Sequence, residues 1–550
     1  MCMHPLVATA ITLILLGFFL GMGHAQPPVY IAIVTHQTSL AREASETILK
    51  RVFTSPDSRR VACIMEHGDG FAVSINGVTG KEYDRILGDE VLFSPDGRRT
   101  AYAAARDDRW FIVVDGVEKG GYHDIRQGSL VFSPNGKRFA YIASDESGDF
   151  VVVNGTKGKP ADLILGERGV FSSDSRRFAY IAAGRHGYAV VVDGVEDKQY
   201  DEIAYGQIPF SPNGARLAYV GVQKGCSFAV IDGREGKRHQ CANGIGRPVF
   251  LPVFSPDSKH TAYRVAQLDH SFMVVDGVED RGYPGPFAWE SEGGDAVFSP
   301  DSRHLAYRAQ AGDNWVMVVD GRPGTEYQEV GLPVFSPDSR RLAYTACRDY
   351  DKHFVVIDGK EGPAYDGIES GTDLAGGDHG GKAIFSPDGQ HVAYVGRKDL
   401  KNLMVIDGTE SSEYDMLMIG ITFRGESVGC RSPFSPDSGR AGYEAKRGDS
   451  WYAVADGNEG KPYGAVLTGD TMFSVDSQHV IYTATSSDRG KWFIVVDNTE
   501  SEARSDEQIS SLVLDTSSTF HVLTRRENEF YLVEGEIREA TPGAAARPPS

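Results

Sequence analysis

Cysteine and tryptophan are scarce in this chain, with 6 and 5 copies among 550 residues. None of the cysteines has the spacing of zinc ligands, which argues against a structural zinc centre. Positive charge is also short. Lys and Arg total 56 against 76 Asp and Glu, and the net charge is −20. Nucleic-acid phosphates repel such a surface, so neither DNA nor RNA is an expected partner. An anionic membrane surface is disfavoured on the same ground. Only one long hydrophobic run occurs, Leu6 to Met22; no later segment has the length to span a bilayer. No phosphate loop or dinucleotide fingerprint stands between a strand and a helix, and no cofactor is expected.

The early run is followed by Gly23-His24-Ala25-Gln26. It reads as a secretory signal, residues 1–25, cleaved after Ala25. Met1 to Pro5 carry no Lys or Arg, which keeps an uncleaved N-terminal anchor as the alternative. On either reading the folded part lies outside the cytoplasm, periplasmic or secreted, with no membrane insertion once a signal is removed. Such a compartment permits disulfides. Cys226 and Cys241 bracket Asp232-Gly233-Arg234-Glu235. A hairpin folded about that turn sets them opposite each other, so they are the disulfide candidate.

What abounds is one phrase. Phe-Ser-Pro-Asp-Ser or a near variant returns eleven times, at Ser55, Ser94, Ser133, Ser172, Ser211, Ser255, Ser299, Ser336, Ser386, Ser435 and Ser474, and a worn twelfth copy begins near Leu514. The gaps run from 37 to 50 residues, and five of them are 39. A period near forty with several strands per unit marks a β-propeller. In the unit Val91 to Ile125, Val91-Leu92-Phe93 reads as strand a and Ser94-Pro95-Asp96-Gly97 as a turn. Arg99 to Ala104 reads as strand b, Arg106 to Arg109 as a polar tip, and Trp110 to Val114 as strand c. Asp115-Gly116 makes a hairpin turn of positive φ, and Tyr122 to Ile125 reads as strand d. Tyr30 to Thr35 is a strand candidate ahead of the repeats, placed to close a ring by pairing with the last blade.

The Phe-Ser-Pro-Asp-Gly/Ser phrase with its following Ala-Tyr resembles the WD-like propeller repeats of TolB-type periplasmic proteins, over about residues 50 to 535. The resemblance implies the fold and rings of six to eight blades. An evident helical domain ahead of the propeller, which TolB proteins have, is not seen here. The expected fold is therefore all-β, tandem β-propellers with about twelve four-stranded blades in two six-bladed rings, 26–296 and 297–541, and a disordered tail at 542–550. Seven plus five blades, or a single ring of twelve with a wide wet channel, are the other divisions.

The a–b and c–d turns hardly vary among copies, whereas the b–c tips and d–a connections vary in length and content. That variation marks the second face as the one that carries specificity. Four connections stand out: Ala242 to Pro252, Pro284 to Ala296, Gly367 to Lys382 and Met416 to Ser432. Within them Trp289 and Glu290 suit stacking on and hydrogen bonding to a sugar or peptide. Asp373, Asp378 and His379 offer oxygen and imidazole groups, but in no standard metal loop, so they are ligand-binding candidates rather than a metal site. Arg424 completes the set. Gly425-Glu426-Ser427-Val428-Gly429 matches a nucleophile elbow without the strand and helix that motif needs, and is a chance match. Arg447-Gly448-Asp449 occupies an ordinary hairpin tip. The recurrent Asp-Gly carboxylates are explained by their turns.

The expected function is that of an exported, non-catalytic scaffold or recognition module. It would bind a protein, peptide or glycan of the cell envelope through its variable loops. The rival is an exported propeller enzyme, a glycan lyase or hydrolase with its site at a ring mouth. A structural spacer with no ligand pocket is the third reading.

Overall fold

The computed structural model describes residues 9–11, 30–42, 48–68, 70–184, 187–204, 206–240, 248–267, 270–284, 296–349, 352–369, 382–419, 432–467, 472–488, 490–508, 510 and 512–540. These residues form twelve antiparallel sheets, one per sequence copy. Blade 2 shows the plan. Strand b, Thr100–Arg106, pairs with strand c, Arg109–Val114, and c pairs with strand d, Val117–Tyr122. Strand a comes in two pieces, Arg85–Ile86 and Leu92–Phe93, which meet opposite ends of strand b. The expected strand d is thus displaced. It begins straight after the Asp115-Gly116 turn and ends at Tyr122, while Asp124–Ile125 already belongs to strand a of blade 3.

Two turns explain why the template repeats so faithfully. At the c–d turn Asp115 has φ 51° and Gly116 φ 79°, the paired positive values of a type I′ hairpin. The Asp115 carboxylate also accepts the Thr100 amide at 2.9 Å and so ties the turn to strand b. At the a–b turn the Ser94 hydroxyl donates to Asp96 Oδ1 at 2.5 Å and accepts the Arg99 amide at 2.9 Å. The fourth turn residue sits at positive φ, as Gly in four copies and Ser in seven. Ser is strained there, but its hydroxyl does a job Gly cannot: Ser175 Oγ accepts the Asn135 amide of the preceding blade at 3.0 Å. Ser258, Ser302, Ser339, Ser438 and Ser477 repeat that inter-blade bond.

The apolar core lies between sheets rather than at a centre. Twelve clusters of buried side chains occupy the twelve seams between neighbouring blades. Ile142 and Val151 of blade 3 pack on Phe178 and Tyr180 of blade 4. Ala262 and Met273 of blade 6 pack on Tyr307 and Val316 of blade 7. Cys63 and Met65 of blade 1 pack on Leu523 and Phe530 of blade 12. This pattern corrects the two-ring expectation. Two six-bladed rings require blade 1 to meet blade 6 and blade 7 to meet blade 12. Instead blade 6 meets blade 7 as every other neighbour pair meets, and blade 12 meets blade 1. The twelve blades close a single ring.

Closure is made by the N-terminal strand, as its position ahead of the repeats suggested. Tyr30–Arg42 pairs with Glu529–Ala540 along almost its whole length and becomes strand d of blade 12. It covers what would otherwise be a long exposed edge. At the same seam Arg59 of blade 1 donates to Asp515 at 2.8 Å and to Glu534 at 3.2 Å. The buried His521 ring lies 2.8 Å from Asp515 and, through Nε2, 2.7 Å from the Asp57 carbonyl.

Candidate functional site

The recurrent turn aspartates are taken up by contacts within the turns and the neighbouring strands. In the a–b turns Asp96, Asp174 and Asp301 each accept a serine hydroxyl and a backbone amide. Those donors, the hydroxyl foremost, hold all three carboxyls below the ordinary range. At Asp257 the Ser255 hydroxyl, with the Lys259 amide second, brings the pKa down to about 2. Each c–d turn Asp is spent on strand b and on an arginine or histidine, for example Asp115 with Arg99 at 2.8 Å and Asp276 with His260 at 2.7 Å. Carboxylates whose oxygens are occupied in this way are poorly placed to exchange a proton with a ligand. The recurrent aspartates are therefore turn residues, as their sequence context indicated.

The outer edge carries a second repeated contact. A tyrosine at the end of strand d meets the strand b tyrosine of the next blade edge to face. Ring centroids are 6.2 Å apart for Tyr83 and Tyr102, 6.0 Å for Tyr200 and Tyr219, and 6.2 Å for Tyr463 and Tyr482. The Tyr83 hydroxyl donates to Glu118 at 2.8 Å, and Arg106 grips the same carboxylate at 2.8 Å. Arg106 first, then Tyr83 and Lys81, bring Glu118 down to about 2 against the opposing effect of burial.

The long variable segments are rooted differently from the sequence expectation. Two of them do not join strand d to strand a; they interrupt strand a itself. In blade 9, Gly367–Glu369 and Ile384–Phe385 both pair with the one strand Val392–Lys398. In blade 10, Met416–Met418 pairs with Gly442–Arg447, and Phe434 bridges to Ala441. Strand a is the innermost strand of each blade, so the ends of both insertions stand on the inner wall of the ring, in adjacent blades. The expected loop boundaries also took in core residues. Val249 and Leu251 are buried between blades 5 and 6, and Leu417 and Ile419 between blades 9 and 10.

The candidates Trp289, Glu290, Asp373, Asp378, His379 and Arg424 lie outside the described residues. So does Cys241. Its proposed partner Cys226 is half-buried at the start of strand c in blade 5, opposite Gln240 in the register. Cys63 takes the position that strand b tyrosines hold in other blades and is fully buried.

One set of residues went unread in the sequence. The position after the strand b tyrosine is apolar in blades 1 to 5: Ile64, Ala103, Ile142, Ile181 and Val220, all buried. In blades 6 to 11 it becomes Arg264, Arg308, Thr345, Val395, Glu444 and Thr483. Arg264 lies over the Phe250 ring at 4.3 Å, Arg308 over Trp315 at 5.3 Å, and Glu444 is fully buried opposite Met418. A column-by-column comparison of the twelve copies carries that signal.

Clefts open between the c–d hairpins of neighbouring blades on the turn-bearing face. They measure 390 Å³ between blades 6 and 7, 740 Å³ between blades 3 and 4, and 240 Å³ between blades 10 and 11. Among the described residues no group of His, Cys, Asp and Glu is placed to hold a metal ion, and no helix is long and apolar enough to cross a membrane.

No family model and no curated relative matches the chain. Solved structures that resemble it include a eukaryotic initiation factor at 11% identity and TM-score 0.32, covering 70% of this chain and 94% of that one. Dihydro-heme d1 dehydrogenase NirN in complex with DHE matches at 13% identity and TM-score 0.27, covering 58% and 71%. The Dos1 propeller matches at 9% identity and TM-score 0.28, covering 74% and 91%. At these scores the likenesses carry no argument about what the chain does.

Proposed function

We propose that the chain is an exported, non-catalytic propeller that recognises a protein, peptide or glycan of the cell envelope through insertions on its inner wall. The observation that carries this reading is the rooting of the insertions in blades 9 and 10. The described flanks of residues 370–381 and 420–431 lie on strand a of neighbouring blades. Propeller channels and their mouths are where such folds take up ligands. Trp289, Glu290, Asp373, Asp378, His379 and Arg424 remain the proposed contact residues, and the apolar start of the chain remains the proposed export signal.

The test uses the mature chain and two variants in which 371–380 or 421–430 is replaced by a short Gly-Ser link. All three are used to capture material from envelope extract, with melting curves as the folding control. Loss of the same captured species in both variants, with melting preserved, is the expected result. Equal capture by all three overturns the assignment. An N-terminus at Gln26 in the extracted protein is expected from mass spectrometry; retention of Met1 overturns the cleavage reading.

A further inference from the structure

The seam between blades 3 and 4 departs from the template at three positions, two of which, Asn154 and Lys157, line one cleft, while the third, Ala161, follows its lining residue Pro160. The strand d tyrosine, present as Tyr83, Tyr122, Tyr200 and Tyr283 in other blades, is replaced by Ala161, which bridges Asp149 where Tyr200 bridges Tyr188. The turn aspartate is replaced by Asn154, which still accepts the Phe139 amide at 3.0 Å but carries no charge. The strand d glutamate is replaced by Lys157, which pairs with Asp145 and lies over the Phe150 ring at 3.9 Å.

Two of the changes have a consequence in the cleft. Without a strand d tyrosine, Tyr180 of blade 4 meets no tyrosine ring from the preceding blade; its one ring neighbour among the described residues is Phe178 of its own strand, at 6.3 Å. Its hydroxyl has no hydrogen-bond partner among the described residues. The equivalent hydroxyls of Tyr219 and Tyr141 bond to Asp197 and Tyr122 at 2.8 and 2.9 Å. Without the aspartate, Arg138 donates only to the Ser175 and Arg176 carbonyls, at 3.0 and 2.5 Å. Among the described residues it has no ion pair, unlike Arg99 and Arg216 at the same position. Lys159 adds a second cation with no ion pair among the described residues, while the Asp193 carboxylate on the far wall faces Arg177 at 3.7 Å. The cleft is the largest of the three, at 740 Å³, and the two smaller ones lie at seams that keep Tyr283 and Tyr463. Val151, Val153 and Phe178 give it apolar walls.

We infer that this cleft binds a small planar aromatic carboxylate. The ring takes the place that the missing tyrosine ring fills at other seams, against Tyr180. The carboxylate faces Arg138 and Lys159, two cations with no ion pair among the described residues, on a protein of net charge −20. The Tyr180 hydroxyl, held protonated by burial and by Glu196 nearby, donates a hydrogen bond. The volume falls in the range of small-molecule sites. This site lies on the turn-bearing face and does not depend on the insertions.

The experiment is calorimetric titration of the whole mature chain with 4-hydroxybenzoate, and with benzyl alcohol as a neutral ring of similar size. Saturable binding of the acid below ~1 mM is expected, with the alcohol at least tenfold weaker. Ala161→Tyr restores the template residue and is expected to fold with unchanged or higher melting temperature and to weaken binding at least tenfold. Lys159→Gln is expected to weaken it about threefold. Shortening 371–380 leaves it unchanged, so failure here is separable from failure of the insertion site. No binding by the natural chain, equal binding by Ala161→Tyr, or equal binding of the neutral ring overturns the inference.

Discussion

Blades 1 to 5 and blades 6 to 11 are built from one template and have diverged in different places. In the first arc, strand a is broken only briefly and the core position after the strand b tyrosine is apolar throughout. In the second arc, the repeat lengthens and strand a is interrupted for a dozen residues in blades 9 and 10. There the core position keeps an apolar residue at Val395 and otherwise takes Arg264, Arg308, Thr345, Glu444 and Thr483. The turns on the opposite face hardly differ between arcs. A ring therefore tolerates change at its inner wall and not at its turns, because each turn is bonded to its own blade and to a neighbour, whereas an insertion in strand a leaves both ends of the strand paired.

The largest effect that separates the arcs is expected from charge at the core position. Ile142→Glu puts a carboxylate into an apolar seam, and a shift of about three pKa units is expected of such a group, equivalent to about 3 kcal/mol at pH 7. Glu444→Leu makes the reverse change in the second arc, taking a polar side chain out of a fully buried position, and is expected to cost less than half as much. Urea denaturation of both variants measures the difference. Equal costs would mean that the two arcs are not distinct in their cores.

Much of this fold is readable from residues that serve turns. Ser-Pro-Asp and Asp-Gly fix two corners of every blade, and strand c is spelled out by β-branched runs such as Trp110 to Val114. Ring number was not readable, because the seam contacts are the same whether blade 6 meets blade 7 or blade 1. The packing of Ala262 and Met273 on Tyr307 and Val316, together with that of Cys63 and Met65 on Leu523 and Phe530, decides it. The insertions were read as d–a connections because Gly367 to Glu369 is too short and too polar to announce itself as strand. Its pairing with Val395 to Arg397 is a non-local fact. Ala161 and Asn154 were legible by comparison among copies, but only as absences, and an absence shows its meaning when the cleft it opens is seen.

The turns should respond alike in both arcs. Ser172→Ala and Ser435→Ala each remove a fully buried hydroxyl that donates to a turn Asp and accepts a backbone amide, at 2.5 and 2.9 Å for Ser172 and 2.7 and 3.0 Å for Ser435. Each is expected to cost about 1–2 kcal/mol, because an amide and a carboxylate lose a buried partner. A difference of more than about 1 kcal/mol between them would show that the arcs diverge at the turns as well.

The smallest effect tests the outer edge through pH. Glu118 is brought down to about 2 by Arg106 foremost, with Tyr83 and Lys81 helping and burial opposing. A carboxyl depressed in the folded state stabilises above its ordinary value, near 4.5, and that contribution is lost as pH falls toward 2. The group lies near the surface, so solvent screening reduces the contribution to about 1 kcal/mol. Glu118→Gln is therefore expected to lower stability by that amount at pH 7 and by nothing at pH 2, flattening the acid limb of a stability curve. Blade 3 has Lys157 at this position, paired with Asp145, whose carboxyl is held well below the aspartate range by Lys157 and then by Ser147. Lys157→Gln should leave the Glu118 part of the limb between pH 4.5 and 2 in place, because the Glu118 contacts are untouched. If Glu118→Gln left that limb intact too, the Tyr-Glu-Arg contacts would be incidental to stability, and the outer edge would be held by the tyrosine rings alone.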